Sequence, residues 1–147
     1  MLPEAKVYKK GEGKTRAFKE IWIEIKNNEI SLAEIKELFE IKLWNYPDIC
    51  VIDSKPLEAE YLNVTFKQGL DDNTVENQEL FQKQGYIIEI KKDGTEITFG
   101  QKKGLVNALS TLKQLFKKTE NRYYLHEVFI MDWPTIEQRS ISNTFGW

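Results

Sequence analysis

The side chains best able to do chemistry in this sequence are one histidine, one cysteine, an aspartate pair and a glycine-rich pentapeptide. His126 would serve as a general base only with a positioned partner, and no second histidine or any cysteine lies near it in sequence, so a structural role is favoured. Asp71-Asp72 offers oxygen ligands to a cation, yet the residues that follow lack the ligand spacing of a calcium loop; a solvated acidic loop fits better. Gly11-Glu12-Gly13-Lys14-Thr15 has the composition of a phosphate loop. Tyr8 stands where the first glycine of G-x-x-x-x-G-K-[ST] belongs and no strand convincingly precedes it, so a turn is expected. Cys50 is alone, which excludes an intramolecular disulfide and a multi-cysteine zinc site, and its flanks Ile49 and Val51 suggest a buried thiol. Trp22 and Trp44 would stack on sugars, but both fall in elements that must also build a core. The expected catalytic, substrate-binding and metal-ligating residues are therefore none, and no cofactor is implied.

Composition bounds the rest. A chain of 147 residues with 41% hydrophobic and 30% charged side chains is of single-domain size and able to bury one core. The net charge of −2 argues against nucleic acid as a partner. No stretch approaches the ~20 apolar residues of a membrane span, and the start carries charges where a signal peptide needs an apolar run, so no membrane partner and a cytoplasmic location are expected. Asn63-Val64-Thr65 matches a glycosylation sequon but falls inside an apparent strand, and it carries no weight.

These residues must be held by a short series of elements. FKEIWIEI (Phe18 to Ile25) alternates as a strand with Phe18, Glu20, Trp22 and Glu24 opposite Ile21, Ile23 and Ile25. Ser31 and Glu34 form a capping box before Leu32, Ile35, Leu38, Phe39 and Leu43, predicting a helix over 32–44 that ends before Pro47. Residues 48–53 and 61–66 read as strands, and the acidic stretch after Gln68 as a surface loop. Between Gly85 and Gly100, two β-prone runs flank Asp93-Gly94, which suits a type I′ hairpin turn. Leu105, Leu109, Leu112 and Phe116 predict a helix over 102–118, and 123–131 a last strand. The order implies an α+β fold: a mostly antiparallel or mixed β-sheet with two α-helices packed on one face.

From Gly85 onward the motifs are more specific in series than singly. Gly85-Tyr86 opens GYIIEI; the KDGTEITFG hairpin follows; Gly104-Leu105 begins a helix carrying Thr111-Leu112-Lys113-Gln114-Leu115; and Asp132-Trp133-Pro134 leads to Arg139. This order resembles the small N-terminal α+β domain that precedes the catalytic barrel in family 20 glycoside hydrolases, the β-N-acetylhexosaminidases. The resemblance covers about 60 residues well; residues 30–80 match in pattern only.

The resemblance implies a non-catalytic domain over 1–134, with 135–147 as the truncated start of a (β/α)8 barrel in the same polypeptide. On that reading the apolar tail with Ile136, Ile141, Phe145 and Trp147 is the barrel's first strand. Family members release terminal N-acetylhexosamine with retention, the substrate's acetamido oxygen attacking while a Glu protonates the leaving oxygen and the Asp before it orients the acetamido group. No Asp-Glu dipeptide occurs in these residues, so the domain is expected to be silent by itself and to meet carbohydrate substrate only through its parent. Ser140, where most members have Gly, and Trp147, where many have a substrate-holding Arg, depart from the family pattern. Two other readings stand beside this one: a carbohydrate- or protein-binding module using Trp133 and Trp147, and a nucleic-acid binder stacking bases on Tyr86 and Phe99.

Overall fold

The computed structural model describes residues 7–57, 60–70 and 78–133. Its elements run β1 (Val7–Lys14), β2 (Glu20–Lys26), α1 (Leu32–Lys42), β3 (Cys50–Ile52), β4 (Tyr61–Gln68), α2 (Gln78–Gln84), β5 (Tyr86–Lys91), β6 (Gly94–Phe99), α3 (Lys102–Gln114), β7 (Lys117–Thr119), β8 (Arg122–Tyr124) and β9 (His126–Asp132). Seven strands form one mixed sheet in the order β1-β9-β5-β6-β4-β2-β3, while β7 and β8 make a separate ribbon. From β1 to β6 the neighbours are antiparallel. From β6 to β3 they are parallel, which needs crossover connections such as α1 supplies between β2 and β3.

The alternation predicted from sequence sorts the two faces. Ile21 and Ile23 of β2, Val64 and Phe66 of β4, Ile88 of β5, Ile97 of β6 and Ile130 of β9 point to one side. There they meet Ile35 and Phe39 of α1 and Leu105, Leu109 and Leu112 of α3 in a single buried cluster. Each such side chain contributes roughly 1.5–3 kcal/mol on leaving water, and this layer holds the domain together. Ser31 caps α1 as expected, its Oγ accepting from the Glu34 amide at 3.2 Å.

Several expectations are corrected. The pentapeptide Gly11 to Thr15 is no turn: its first four residues lie in β1, an edge strand so polar that periodicity does not show it. A third helix, α2, follows the acidic stretch. The helix predicted over 102–118 ends at Gln114, because Phe116 turns inward to meet Phe18 edge-on at 5.7 Å and Lys117 enters β7. Phe18 itself is fully buried, bridged to Tyr123, and does not share a face with Trp22; Ile25 is exposed. The hairpin forms, but Lys91 pairs with Gly94, so Lys92-Asp93 are the loop residues and neither has the positive φ of a type I′ turn. The last predicted strand is split at Leu125, whose amide donates to Thr15 Oγ1 at 3.0 Å.

Candidate functional site

The residues first considered for chemistry do not converge. His126 opens β9 with its ring edge-on to Tyr124 at 5.4 Å. Gly13 donates its amide to Glu127 Oε1 at 3.0 Å, and a Cβ there would fall 2.8 Å from Glu127 Cδ; the glycine makes room for a glutamate and cradles no phosphate. Cys50 is exposed, contrary to the expected buried thiol, because β3 turns Val51 to the core and its neighbour outward. The two tryptophans assigned to the core are not in it. Trp22 lies half-buried on the face away from α1 and α3, against Tyr61, and Trp44, just past α1, is 76% exposed. Tyr86 and Phe99 are buried, so no base can stack on them. Trp133 is half-buried and packs edge-on against Phe81 at 5.4 Å instead of standing free as a platform. Asp71, Asp72, Arg139, Ser140 and Trp147 lie outside the described residues, as does the segment 135–147. Among the described residues no group of three or more His, Cys, Asp or Glu is placed to hold a metal ion.

What does converge is the motif series. Tyr86, first in β5, pairs in register with Asp132, last in β9. The Tyr86 hydroxyl lies 2.6 Å from Thr111 Oγ1 of α3, and both residues are buried. Burial pushes the Tyr86 phenol up from its ordinary value; the Thr111 hydroxyl pulls it partly back, and the negative charge of Asp132 adds to the rise. A Cβ on Gly104 would run into the Gly85 carbonyl oxygen, which explains why α3 begins with glycine at that point. Asn107 Nδ2 donates to the Gln84 carbonyl at 3.1 Å, tying the same helix to the end of α2. Trp133 N donates to Asp132 Oδ1 at 3.0 Å where the chain leaves the sheet. Beside this knot, Leu70, Phe81 and Met131 form a second buried cluster under Val7, Ile87, Phe129 and Trp133.

Separate sequence motifs thus become one fastening at one end of the sheet. The profile of glycosyl hydrolase family 20, domain 2, matches residues 6–133. The chain belongs to this family. Three solved structures share the fold. An inactive variant of the GH20 exo-β-N-acetylglucosaminidase from Vibrio harveyi aligns over 91% of the chain with a TM-score of 0.67 at 17% identity. The chitobiase of Flavobacterium johnsoniae follows at 0.62, 20% identity and 91% coverage, and the β-N-acetylhexosaminidase of Bacteroides fragilis at 0.60, 18% and 90%. The chain spans 19%, 20% and 24% of those proteins' lengths respectively, about a fifth to a quarter. A search of curated proteins finds no match.

On its helix layer the family 20 domain exposes two large apolar side chains, while Leu57 stands fully exposed in the β3–β4 connection. Ile41, 59% exposed, and Trp44 stand three positions apart at the end of α1, with Lys113 Nζ of α3 5.8 Å from the Trp44 ring centre. Sequence reasoning placed Trp44 inside; the signal it missed is helical phase, since at about 3.6 residues per turn position 44 falls opposite the Ile35, Phe39 and Leu43 stripe that α1 buries.

Proposed function

We propose that this is the non-catalytic N-terminal domain of a β-N-acetylhexosaminidase-like glycoside hydrolase, and that it supports the catalytic (β/α)8 barrel of the same polypeptide. The observation that carries the reading is the domain 2 match over residues 6–133. Release of terminal N-acetylhexosamine belongs to the parent, whose acid Glu and acetamido-orienting Asp would both come from the barrel. In this reading residues 1–134 form the support, 135–147 open the barrel, and carbohydrate substrate meets the barrel alone.

Two features of the domain suit support. The fastening of Tyr86, Thr111 and Asp132 fixes the direction in which β9 hands the chain on. Exposed Ile41 and Trp44 offer apolar area whose burial against a neighbouring domain contributes about 25 cal/mol per Å². The test compares the full-length parent with a version lacking residues 1–130. Support predicts a lower melting temperature and reduced turnover of a chromogenic N-acetylglucosaminide, and none at all by the 147-residue chain alone. Unchanged melting and turnover after deletion would remove the idea.

A further inference from the structure

At the end of the sheet remote from the fastening, an open cleft of about 550 Å³ lies between the strand end at Lys14 to Arg16, the start of β4 and the β5–β6 turn. Its volume falls within the roughly 300–1,000 Å³ of small-molecule sites. Lys14, Arg16 and Lys92 line it against one carboxylate, Asp93. Among the described residues neither Arg16 nor Lys92 enters an ion pair, whereas Lys14 Nζ sits 5.0 Å from the centre of the Tyr124 ring. Arg16 and Lys92 are thus the cations open to a ligand, although the Lys92 stem passes over Gly13 beside the Glu127 carboxylate without pairing with it.

The remaining wall is polar, aromatic and fixed. Tyr61 lines the cleft and is braced edge-on by Trp22 at 5.7 Å. Asn63 also lines it; its Nδ2 donates to the Trp22 carbonyl at 3.3 Å and to Glu24 Oε1 at 3.0 Å, and its Oδ1 accepts from Thr65 at 3.4 Å. An aromatic ring, a held amide and unpaired cations side by side match a sugar ring that carries an acidic substituent. A second hollow of about 280 Å³ shares Asn63, Asp93 and Gly94 and is lined by Glu96, Glu89 and Lys91, whose Nζ pairs with Glu89 Oε2 at 3.7 Å. With Glu89 offset by Lys91, Glu96 and the shared Asp93 leave this hollow net acidic, which disfavours the continuation of a long polyanion such as nucleic acid and favours a short ligand with its charge at the basic end.

We infer that this cleft is an accessory binding site for a short anionic oligosaccharide, one sugar ring lying against Tyr61 and its carboxylate or sulfate held by Arg16 and Lys92. The expectation of a glycan rests on the hydrolase reading; the site itself requires no hydrolysis.

Titration calorimetry of the 147-residue chain tests it, with trigalacturonate as the carboxylate probe, a heparin-derived tetrasaccharide as the sulfate probe and chitotriose as the neutral control. At least one anionic probe should bind, and chitotriose should not bind at the same concentrations. The R16A/K92A variant should weaken that binding at least tenfold and Tyr61→Ala several-fold, with circular dichroism unchanged because Arg16 and Lys92 are exposed. Arg16→Glu, which reverses a charge, should abolish it. Which anionic probe binds tells carboxylate from sulfate recognition. The inference is overturned by no binding, by equal binding of chitotriose, by anionic binding that R16A/K92A leaves intact, or by a single-stranded RNA oligonucleotide binding more tightly than either glycan. Turnover of a chromogenic N-acetylglucosaminide by the parent should be unaffected by R16A/K92A, so failure of this site and failure of the hydrolase reading are separable.

Discussion

Replacing Tyr86 by Phe removes one oxygen from the fastening and leaves the ring in place. The lost hydroxyl lies 2.6 Å from Thr111 Oγ1, in a setting where Tyr86 is 5% and Thr111 9% exposed. A net hydrogen bond contributes about 0.5–1.5 kcal/mol, and a buried polar group left unpaired costs about 1–3 kcal/mol. Asp132 keeps its bond from the Trp133 amide, and a helical Thr hydroxyl can turn to a carbonyl of the preceding turn, so the low end of that penalty applies. We expect Tyr86→Phe to cost about 2 kcal/mol. Thr111→Val should cost a similar amount, whereas the double variant, with both partners apolar, should cost little more than either alone, giving a coupling of about 1–2 kcal/mol. Urea unfolding of the 147-residue chain followed by tryptophan fluorescence reads these values. With a slope of about 2 kcal/mol/M, the single variants should unfold about 1 M earlier at unchanged slope. Strict additivity of the two substitutions, or a cost below about 0.5 kcal/mol for Tyr86→Phe, would refute the fastening.

The same group sets an alkaline limit. The Tyr86 phenol is raised mainly by burial and that of Tyr123 by burial and its bond to Asp48, so both contribute stability that is complete below the ordinary phenol pKa and lost as pH rises through the higher folded values. Unfolding free energy should therefore decline above about pH 10, and less steeply in Tyr86→Phe. Gly104→Ala should destabilise by roughly 1–2 kcal/mol although alanine is the better helix former, because overlap with the Gly85 carbonyl outweighs the ~1 kcal/mol propensity gain; thermal melts with Lys103→Ala as control decide the sign. Ser31→Ala should lose about 1 kcal/mol with its cap, measured the same way.

How far the sequence revealed this depended on whether burial or connectivity governed each segment. The strands at 61–66 and 86–99 and the stripe Leu105, Leu109, Leu112 were legible because one face of each meets the core and periodicity records it. VYKKGEGK was not, since an edge strand needs only backbone partners, and β1 takes them from β9 with five of its eight positions exposed in an unbroken run. α2 escaped for the opposite reason: seven residues are too few to display a helical period, and among its described side chains Phe81 is the buried one. The tryptophans show a further limit. Trp22 alternates onto the face away from α1 and α3 and Trp44 falls beyond a helix end, so residue type alone misplaced both. The accessory cleft could not be read at all, because Arg16, Tyr61 and Lys92 meet only once strands far apart in the chain are set side by side.

The position of β9 gives the motif series its physical sense. A chain that left the domain from an edge strand would be held on one side and would fray. β9 is hydrogen-bonded on both sides, to β1 and β5, and is the last described strand. Its final residue faces Tyr86 across the ladder, Tyr86 bonds to α3, and α3 is seated on Gly85 through Gly104. Tilting the exit would therefore shift a helix against a packed core, which resists deformation because its interior is close-packed. Gly85-Tyr86, Gly104 and Thr111 are separated in sequence, yet each constrains the orientation of Asp132-Trp133. That is what the proposed support of a following domain would require, and the motifs shared with the family serve this fastening in the structure.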